Sequence, residues 1–158
     1  MAENYLLIMI QSLKKKIQVL DSIIDANERQ KTALENPGLD PDDFDKIVEE
    51  KSKYIEHLDL LDQGFDKLFT RVKEALNADR EAYKNEIREM QTLITTITEK
   101  SNKIQVQEAR NKDLMTQKFS KIRKQARDVR ASQQAVNQYY KNMKKINYID
   151  PQFMDNKK

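Results

Sequence analysis

The stretch ENPGLDPDDF, residues 35–44, interrupts the apolar pattern of the chain and predicts a corner between two helices. Gly38 suits a helix C-terminus, and Pro37 cannot be carried inside a helix. The next helix has a strong start signal, because Asp40 is a good N-cap and Pro41 fits the first helical position. Two long helices joined by so short a connection pack as antiparallel neighbours.

Apolar residues recur three and four positions apart on both sides of this corner, as in a helix that buries one stripe. The stripes predict helices over residues 3–35 and 41–77, and a third over 80–146. The sequence leaves open whether the second and third helices are separate or continuous through 77–80, because that stretch contains neither Gly nor Pro. Two glycines, three prolines and 35 % charged residues also favour long helices over a β-protein.

The three predicted helices differ in length. At about 1.5 Å per residue, the first two are each roughly 50–55 Å long and the third is about 100 Å long. Folded back from a corner near residue 78, the second helix would place residue 41 opposite roughly residue 117. We therefore predict an all-α fold, an antiparallel bundle of three long helices whose third helix is much longer and overhangs as a C-terminal arm. The predicted divisions are a bundle over 1–118, an arm over 119–148 and a mobile tail over 149–158.

The predicted arm continues the apolar stripe of the third helix, where a single bundle offers nothing to pack against. Burying one apolar side chain is worth about 1.5–3 kcal/mol, so the stripe is expected to fold back, to pair with a second copy or to bind a partner. Tyrosine and methionine, which recur there, suit adaptable protein–protein contacts. The candidate partner-binding residues are Phe119, Ile122, Ala126, Val129, Val136, Tyr139, Tyr140, Met143, Ile146 and Tyr148.

Enzyme chemistry finds no support in the sequence. The absence of cysteine excludes a thiolate nucleophile and cysteine-based metal sites. The single histidine, His57, lies beside the stripe of the second helix and cannot supply the paired Glu-x-x-His motifs of a carboxylate metal bundle. No glycine-rich phosphate loop is present. We expect a protein that is not an enzyme and that has no catalytic residues, no metal site and no cofactor.

Nucleic-acid and membrane partners are also disfavoured. The net charge is only +3 and no nucleic-acid-binding module is recognisable, although the arm is basic. The apolar run at residues 5–10 is too short for a signal-peptide core, and no segment approaches the roughly 20 apolar residues needed to span a bilayer. We expect a cytoplasmic protein that binds no nucleic acid and does not insert into a membrane.

Some residues break the apolar stripes. Ser101, Glu108 and Asn111 fall on the stripe of the third helix, where polar residues are expected to fix the register at some cost in stability. Gly64 lies inside the second helix, where glycine is unfavourable relative to alanine. We expect Gly64 to allow a close approach of the second helix to the first near Ser12, and a kink in the second helix is the alternative.

The chain resembles the FlgN-type flagellar export chaperones, and less closely their FliT-type relatives, in four stretches. These are LLDQGFDKLFTRVKEAL (60–76), YKNEIREMQTLITTIT (83–98), IQVQEARNKDLM (104–115) and YYKNMKKINYIDPQFMDNKK (139–158). The resemblance implies a cytosolic chaperone that binds hook-associated, filament-junction proteins, prevents their premature assembly and delivers them to the type III export apparatus. In that family the substrate binds the C-terminal part of the last helix, which matches Phe119 through Tyr148 here.

Two alternatives stay open from the sequence. The overhanging stripe could pair with a second copy, which would make the chain a homodimeric coiled-coil scaffold without an export client. The weaker FliT-like resemblance implies instead a chaperone of the filament-cap protein.

Overall fold

The computed structural model describes residues 2–120 and 134–141, and these residues are helical apart from two short connections. Helix α1 spans Ala2–Glu35, α2 spans Pro41–Ala78 and α3 spans Lys84–Ser120, with a single 3-10 turn at Glu81–Tyr83 before α3. Residues 134–141 form a further short helix, called the C-terminal segment below. The prediction of an all-α chain is confirmed for the described residues, which contain no strand.

The corner after α1 forms as the sequence predicts. The backbone N–H of Gly38 donates to Asn36 Oδ1 at 3.0 Å, which closes the turn. The Asp40 carboxylate accepts a hydrogen bond from the backbone N–H of Asp42 at 3.0 Å and so caps α2, whose first residue is Pro41. This cap satisfies one of the N–H groups that a helix start leaves without an intrahelical partner.

The second corner separates α2 from α3, which the sequence left open. Helix α2 ends at Ala78, and Asp79 takes a non-helical conformation with φ −147° and ψ 77°. The Asp79 carboxylate then accepts a hydrogen bond from the backbone N–H of Ala82 at 3.2 Å. A short acidic side chain therefore makes the break without Gly or Pro, by bonding the backbone outside the helix ladder.

Helix α1 is the central element and packs along both other helices. Ion pairs between α1 and α3 advance together along both chains, from Lys14–Glu89 at 3.3 Å to Asp21–Lys100 at 2.6 Å, so these two helices are parallel. The connectivity explains this arrangement, because the chain reverses direction from α1 to α2 and reverses again from α2 to α3. Because α1 has a neighbour on two sides, it buries more than one stripe of side chains, and Met9, Val19 and Ile23 are among its buried residues.

Helix α2 runs antiparallel to α1, with Lys16–Asp62 at 2.9 Å near one end and Arg29–Glu50 at 2.6 Å near the other. The start of α2 meets the end of α3, where the rings of Phe44 and Phe119 pack edge to face with centroids 5.7 Å apart. The predicted register placed residue 41 opposite roughly residue 117 and so was right to within about one helical turn.

The structure differs from the predicted overhang. Phe119 and Val136 are buried in one cluster with Met115, while Tyr140 further along the chain contacts Glu108, about two to three turns back on α3. The C-terminal segment thus runs antiparallel to α3 and packs on the bundle, so one straight helix over 80–146 does not form. Folding back, one of the three outcomes weighed from the sequence, buries these apolar side chains within the chain.

Gly64 does not mediate a close helix approach. A Cβ added at Gly64 would meet no heavy atom within 4 Å, so the expected contact near Ser12 is absent and that interpretation is wrong. Helix α2 also continues unbroken through this position. The glycine therefore lies on an open surface of the helix.

Candidate partner-binding site

A layer of buried polar side chains crosses the bundle between two apolar clusters. At its centre, Lys51 Nζ on α2 donates to Glu108 Oε1 on α3 at 2.6 Å and to Gln30 Oε1 on α1 at 2.8 Å. Lys51 is 2 % exposed and Glu108 3 % exposed. Removing two charges from water is unfavourable unless each finds a close partner and further hydrogen bonds, and this geometry supplies both.

Amide side chains extend the polar layer between α1 and α3. Asn111 Nδ2 donates to the carbonyl oxygen of Asn27 at 3.0 Å and to Gln30 Oε1 at 3.2 Å. Asn27 Nδ2 donates to Gln107 Oε1 at 3.0 Å. These bonds form only in one alignment of the two helices, so the layer fixes their register.

Sequence reasoning found only part of this layer. The burial of Ser101, Glu108 and Asn111 on the α3 stripe is confirmed. Lys51 and Gln30 were missed, because a lone lysine or glutamine on a long charged helix usually faces water. A signal was available, since the apolar spacing of α2 between Val48 and Ile55 skips the position that Lys51 fills.

Burial moves both charged groups of the layer towards their neutral forms. The pKa of Lys51 is lowered to about 8, mainly because burial disfavours the ammonium, although the Glu108 carboxylate opposes this effect. The pKa of Glu108 is raised for the same reason, with Lys51 as the opposing influence. Burial therefore outweighs the attraction within the pair, and the pair adds little net stability.

The C-terminal segment lies directly on this layer. The ring of Tyr139 covers Lys51, with Nζ 3.6 Å from the ring centroid, a cation–π contact in which the aromatic face meets the buried ammonium. The Tyr140 hydroxyl donates to the backbone carbonyl of Glu108, and Lys112 Nζ lies 5.6 Å from the centroid of the Tyr140 ring. The two tyrosines pack edge to face, 6.4 Å between centroids.

The contact made by Tyr139 is incompletely satisfied. Its hydroxyl and Asn27 Oδ1 are both buried without a hydrogen bond of good geometry among the described residues, although the hydroxyl lies close enough to the Glu108 carboxylate and the Asn27 side chain to interact with both. Such a group costs about 1–3 kcal/mol relative to one that is bonded. The pKa of Tyr139 is raised well above its usual value by burial and by the nearby Glu108 carboxylate. Docking thus combines a large apolar gain with a polar cost, which limits how firmly the segment is held.

The structure brings four of the candidate partner-binding residues to one end of the bundle. Phe119, Val136 and Tyr139 are buried there, and Tyr140 is half-buried. The other six lie outside the described residues, namely Ile122, Ala126, Val129, Met143, Ile146 and Tyr148. The four described residues do not form an open surface.

The described residues carry no cluster of metal-ligating side chains. None of the described helices is long and apolar enough to cross a membrane. An all-helical bundle that is closed at one end by its own aromatic segment, with buried polar residues that set helix register, has the character of a protein-binding helical bundle.

Comparison with known families identifies which bundle this is. A family model described as FlgN protein matches residues 6–147, a span that includes α1 almost entirely, all of α2 and α3, and the C-terminal segment. The chain belongs to the FlgN family, a family of flagellar export chaperones and not of enzymes. No curated protein and no solved structure matches the chain.

Proposed function

We propose that this chain is a cytoplasmic chaperone for hook-associated flagellar proteins, which it binds through residues 119–148, keeps from premature assembly and delivers to the type III export apparatus. Membership of the FlgN family supports the general role. The observation that supports the binding region is the packing of Phe119, Val136 and Tyr139 in aromatic and apolar contacts at one end of the bundle.

We infer that the client displaces the C-terminal segment. Once released, the segment would present Val136, Tyr139 and Tyr140 along one face, which suits pairing with an amphipathic client helix. Only molecules in which the segment is undocked can bind, so the apparent affinity for the client is proportional to the undocked fraction. The buried Lys51–Glu108 pair and the incompletely bonded Tyr139 hydroxyl reduce the net gain from docking, which keeps this competition possible.

The first experiment tests the binding region. Fluorescence anisotropy would compare labelled C-terminal fragments of hook-associated proteins on the wild-type chain and on Ile122→Asp/Val129→Asp. The matched control is Leu7→Asp/Val106→Asp, which places the same charges at exposed apolar positions on α1 and α3. We expect affinity to fall by about tenfold or more in the first variant, since charges in an apolar contact are desolvated without a partner. Unchanged affinity would remove the arm from client binding.

A second experiment tests displacement. Because the chain has no cysteine, Lys112→Cys/Tyr140→Cys can be joined specifically by a short bismaleimide that holds the C-terminal segment on α3. We expect the joined protein to bind client more weakly than the same variant without the linker, since both lack the Tyr140 ring and they differ only in whether the segment can leave α3. If the joined protein binds as well as the unjoined one, the client does not need to displace the segment.

The same fragments discriminate between the alternatives. A filament-cap protein fragment that binds more tightly than hook-associated fragments would favour the FliT-like role. Sedimentation of the chain alone tests the homodimeric scaffold, which predicts a dimer that persists when client is added. Because Phe119, Val136 and Tyr139 are buried within one chain, a second copy would have to displace the segment just as a client would.

A further inference from the structure

Helix α2 carries a second regular row of residues on the side away from the core. Five of its six members each follow a buried residue of α2 by two positions, which places them about 200° around the helix. The spacing alternates between four and three, so the row stays on one face along its whole length. All six are exposed, and they are called the outer row: Lys53, His57, Leu60, Gly64, Lys67 and Arg71.

The centre of the outer row is a leucine beside a notch. Leu60 is 66 % exposed, among the most exposed large apolar side chains of the described residues. Gly64 follows one turn later, and a Cβ added there would meet nothing within 4 Å. Glycine in the middle of a helix is unfavourable relative to alanine, and no contact with the described residues requires it. The feature it does provide is space for another chain to approach the α2 backbone.

The ends of the outer row are cationic and unpaired. Lys53, Lys67 and Arg71 make no ion pair or hydrogen bond within the part of the chain that the structure describes. Some lysines on α1 and α3 are paired, since Lys14 and Lys100 each form an ion pair with an acid of the neighbouring helix. No member of the row is acidic, although Glu56 borders it one turn from both Lys53 and Leu60.

We propose that the outer row of α2 is a docking surface for an acidic amphipathic helix of another protein. One apolar side chain of that helix seats over Gly64 beside Leu60, while its carboxylates pair with Lys53, Lys67 and Arg71. Charge complementarity of this kind steers association and rejects basic partners, and the glycine lets the two helices come close enough for the apolar contact. No described residue of the proposed client-binding region, 119–120 and 134–141, belongs to this surface, and the proposal therefore goes beyond client binding.

The probe is a synthetic helical peptide of about 18 residues, which matches the length of the outer row. It carries leucine at heptad spacing with glutamate on both flanks, and its control has glutamine at every glutamate. Anisotropy gives the affinity, and amide chemical-shift changes in the full chain locate the site. We expect the acidic peptide to perturb residues 53–71, to bind at least about tenfold more tightly than the control and to weaken as salt is raised.

Charge reversal tests the cationic residues. We expect Lys67→Glu/Arg71→Glu to weaken binding by about tenfold or more. The control Lys15→Glu/Lys103→Glu changes the net charge equally at exposed, unpaired lysines of α1 and α3 and is expected to leave affinity unchanged. Equal losses in the two variants, or shift changes away from α2, would show general electrostatic attraction and would overturn the proposal.

Filling the notch tests the apolar contact. Gly64→Gln introduces a good helix former, so α2 is not weakened, yet its side chain occupies the space above the backbone. We expect a loss of about tenfold in peptide affinity with unchanged circular dichroism, and unchanged affinity would overturn the role of the glycine. Sedimentation of the chain alone tests a second copy as occupant, because a dimer that Lys67→Glu/Arg71→Glu dissociates would also overturn the proposal. Hook-associated fragments should bind these variants normally, which separates this surface from the client site.

Discussion

At the scale of single residues, the interior of the bundle depends on how a few polar side chains meet. Lys51 and Glu108 are tolerated in the core because each is the other's partner at 2.6 Å and Gln30 completes the lysine's bonding. Their pKa values nevertheless move towards the neutral forms, so burial costs more than the pair returns. Such a pair serves register and specificity more than net stability.

The Lys51–Glu108 pair predicts strongly non-additive mutants. Glu108→Leu alone leaves the Lys51 ammonium buried without its partner and should lower the free energy of unfolding by about 3–5 kcal/mol. The double variant Lys51→Met/Glu108→Leu removes both charges and should recover most of this loss, to within about 1 kcal/mol of wild type. Urea unfolding followed by circular dichroism measures all three free energies. Additive losses in the double variant would contradict this account.

The lowered pKa of Lys51 predicts a pH dependence with a definite sign. Between its folded value of about 8 and its ordinary value of 10.5, the folded protein has released the proton that the unfolded chain still holds. Raising the pH then favours the folded state, and the free energy of unfolding should rise by about 2 kcal/mol between pH 8 and 9.5.

The reference for this measurement is Lys51→Met/Glu108→Leu, which lacks both groups, so that other titrations cancel. Measurements stop short of pH 10, because the raised pKa of Tyr139 and of Tyr140 has the opposite effect once unfolded tyrosines ionise. A difference between the two proteins that stays flat from pH 8 to 9.5 would show that Lys51 is not buried as described.

At the scale of helices and corners, local sequence signals decide where each element begins and ends. Asp40 starts α2 through a side-chain hydrogen bond, and Asp79 ends the α2 run by bonding Ala82 beyond it. At both corners a short acidic side chain accepts a hydrogen bond from a backbone N–H at the start of the next helical stretch, where the helix itself supplies no acceptor. The first could be read from the sequence because Pro41 accompanies the cap, whereas the second has no such companion.

Removal of the α2 cap has a measurable cost. Asp40→Ala should lower the free energy of unfolding by about 1 kcal/mol, because the Asp42 N–H loses its partner. Asp43→Ala in the same turn is the matched control, since it removes an equal charge near the helix dipole without removing the cap, and should cost only a few tenths of a kcal/mol, about 0.3–0.5. Thermal or urea unfolding distinguishes the two, and equal effects would contradict the capping role.

At the scale of the whole molecule, the C-terminal segment completes the end of the bundle. It reverses direction relative to α3, adds Val136 to the cluster around Phe44 and Phe119, and places Tyr139 over Lys51. The bundle end is thus covered by the part of the chain that we propose to bind clients. Docking of the C-terminal segment on the bundle and binding of a client would then use the same side chains and would compete.

Tyr139→Ala should weaken the segment more than the bundle. Loss of the buried ring should lower the free energy of unfolding by about 2–4 kcal/mol if the segment stays docked, and by less if it simply undocks. Hydrogen exchange by mass spectrometry should show faster exchange in residues 134–141 and little change in α1. A uniform acceleration across α1, α2 and α3 would contradict the view that the segment opens separately.

Much of this fold is predictable from local patterns, and the site is predictable only in part. The three long helices, the first corner and the polar interruptions of α3 follow from residues within one or two turns of each other. The apolar spacing of the third predicted helix also led to the choice of Phe119, Val136, Tyr139 and Tyr140 as candidate partner-binding residues. Gly64 was misinterpreted because a glycine inside a helix indicates only that a side chain is missing there. The sequence does not show whether any other residue packs against that position.

The sequence by itself determined the helices, the α2 cap and the family, because spacing and capping act between near neighbours along the chain. Only the tertiary structure decided that Lys51 meets Glu108 and that Tyr139 returns to cover Lys51. Those contacts join residues 57 and more positions apart, and a buried charge or an aromatic cover is favourable only once its distant partner is in place.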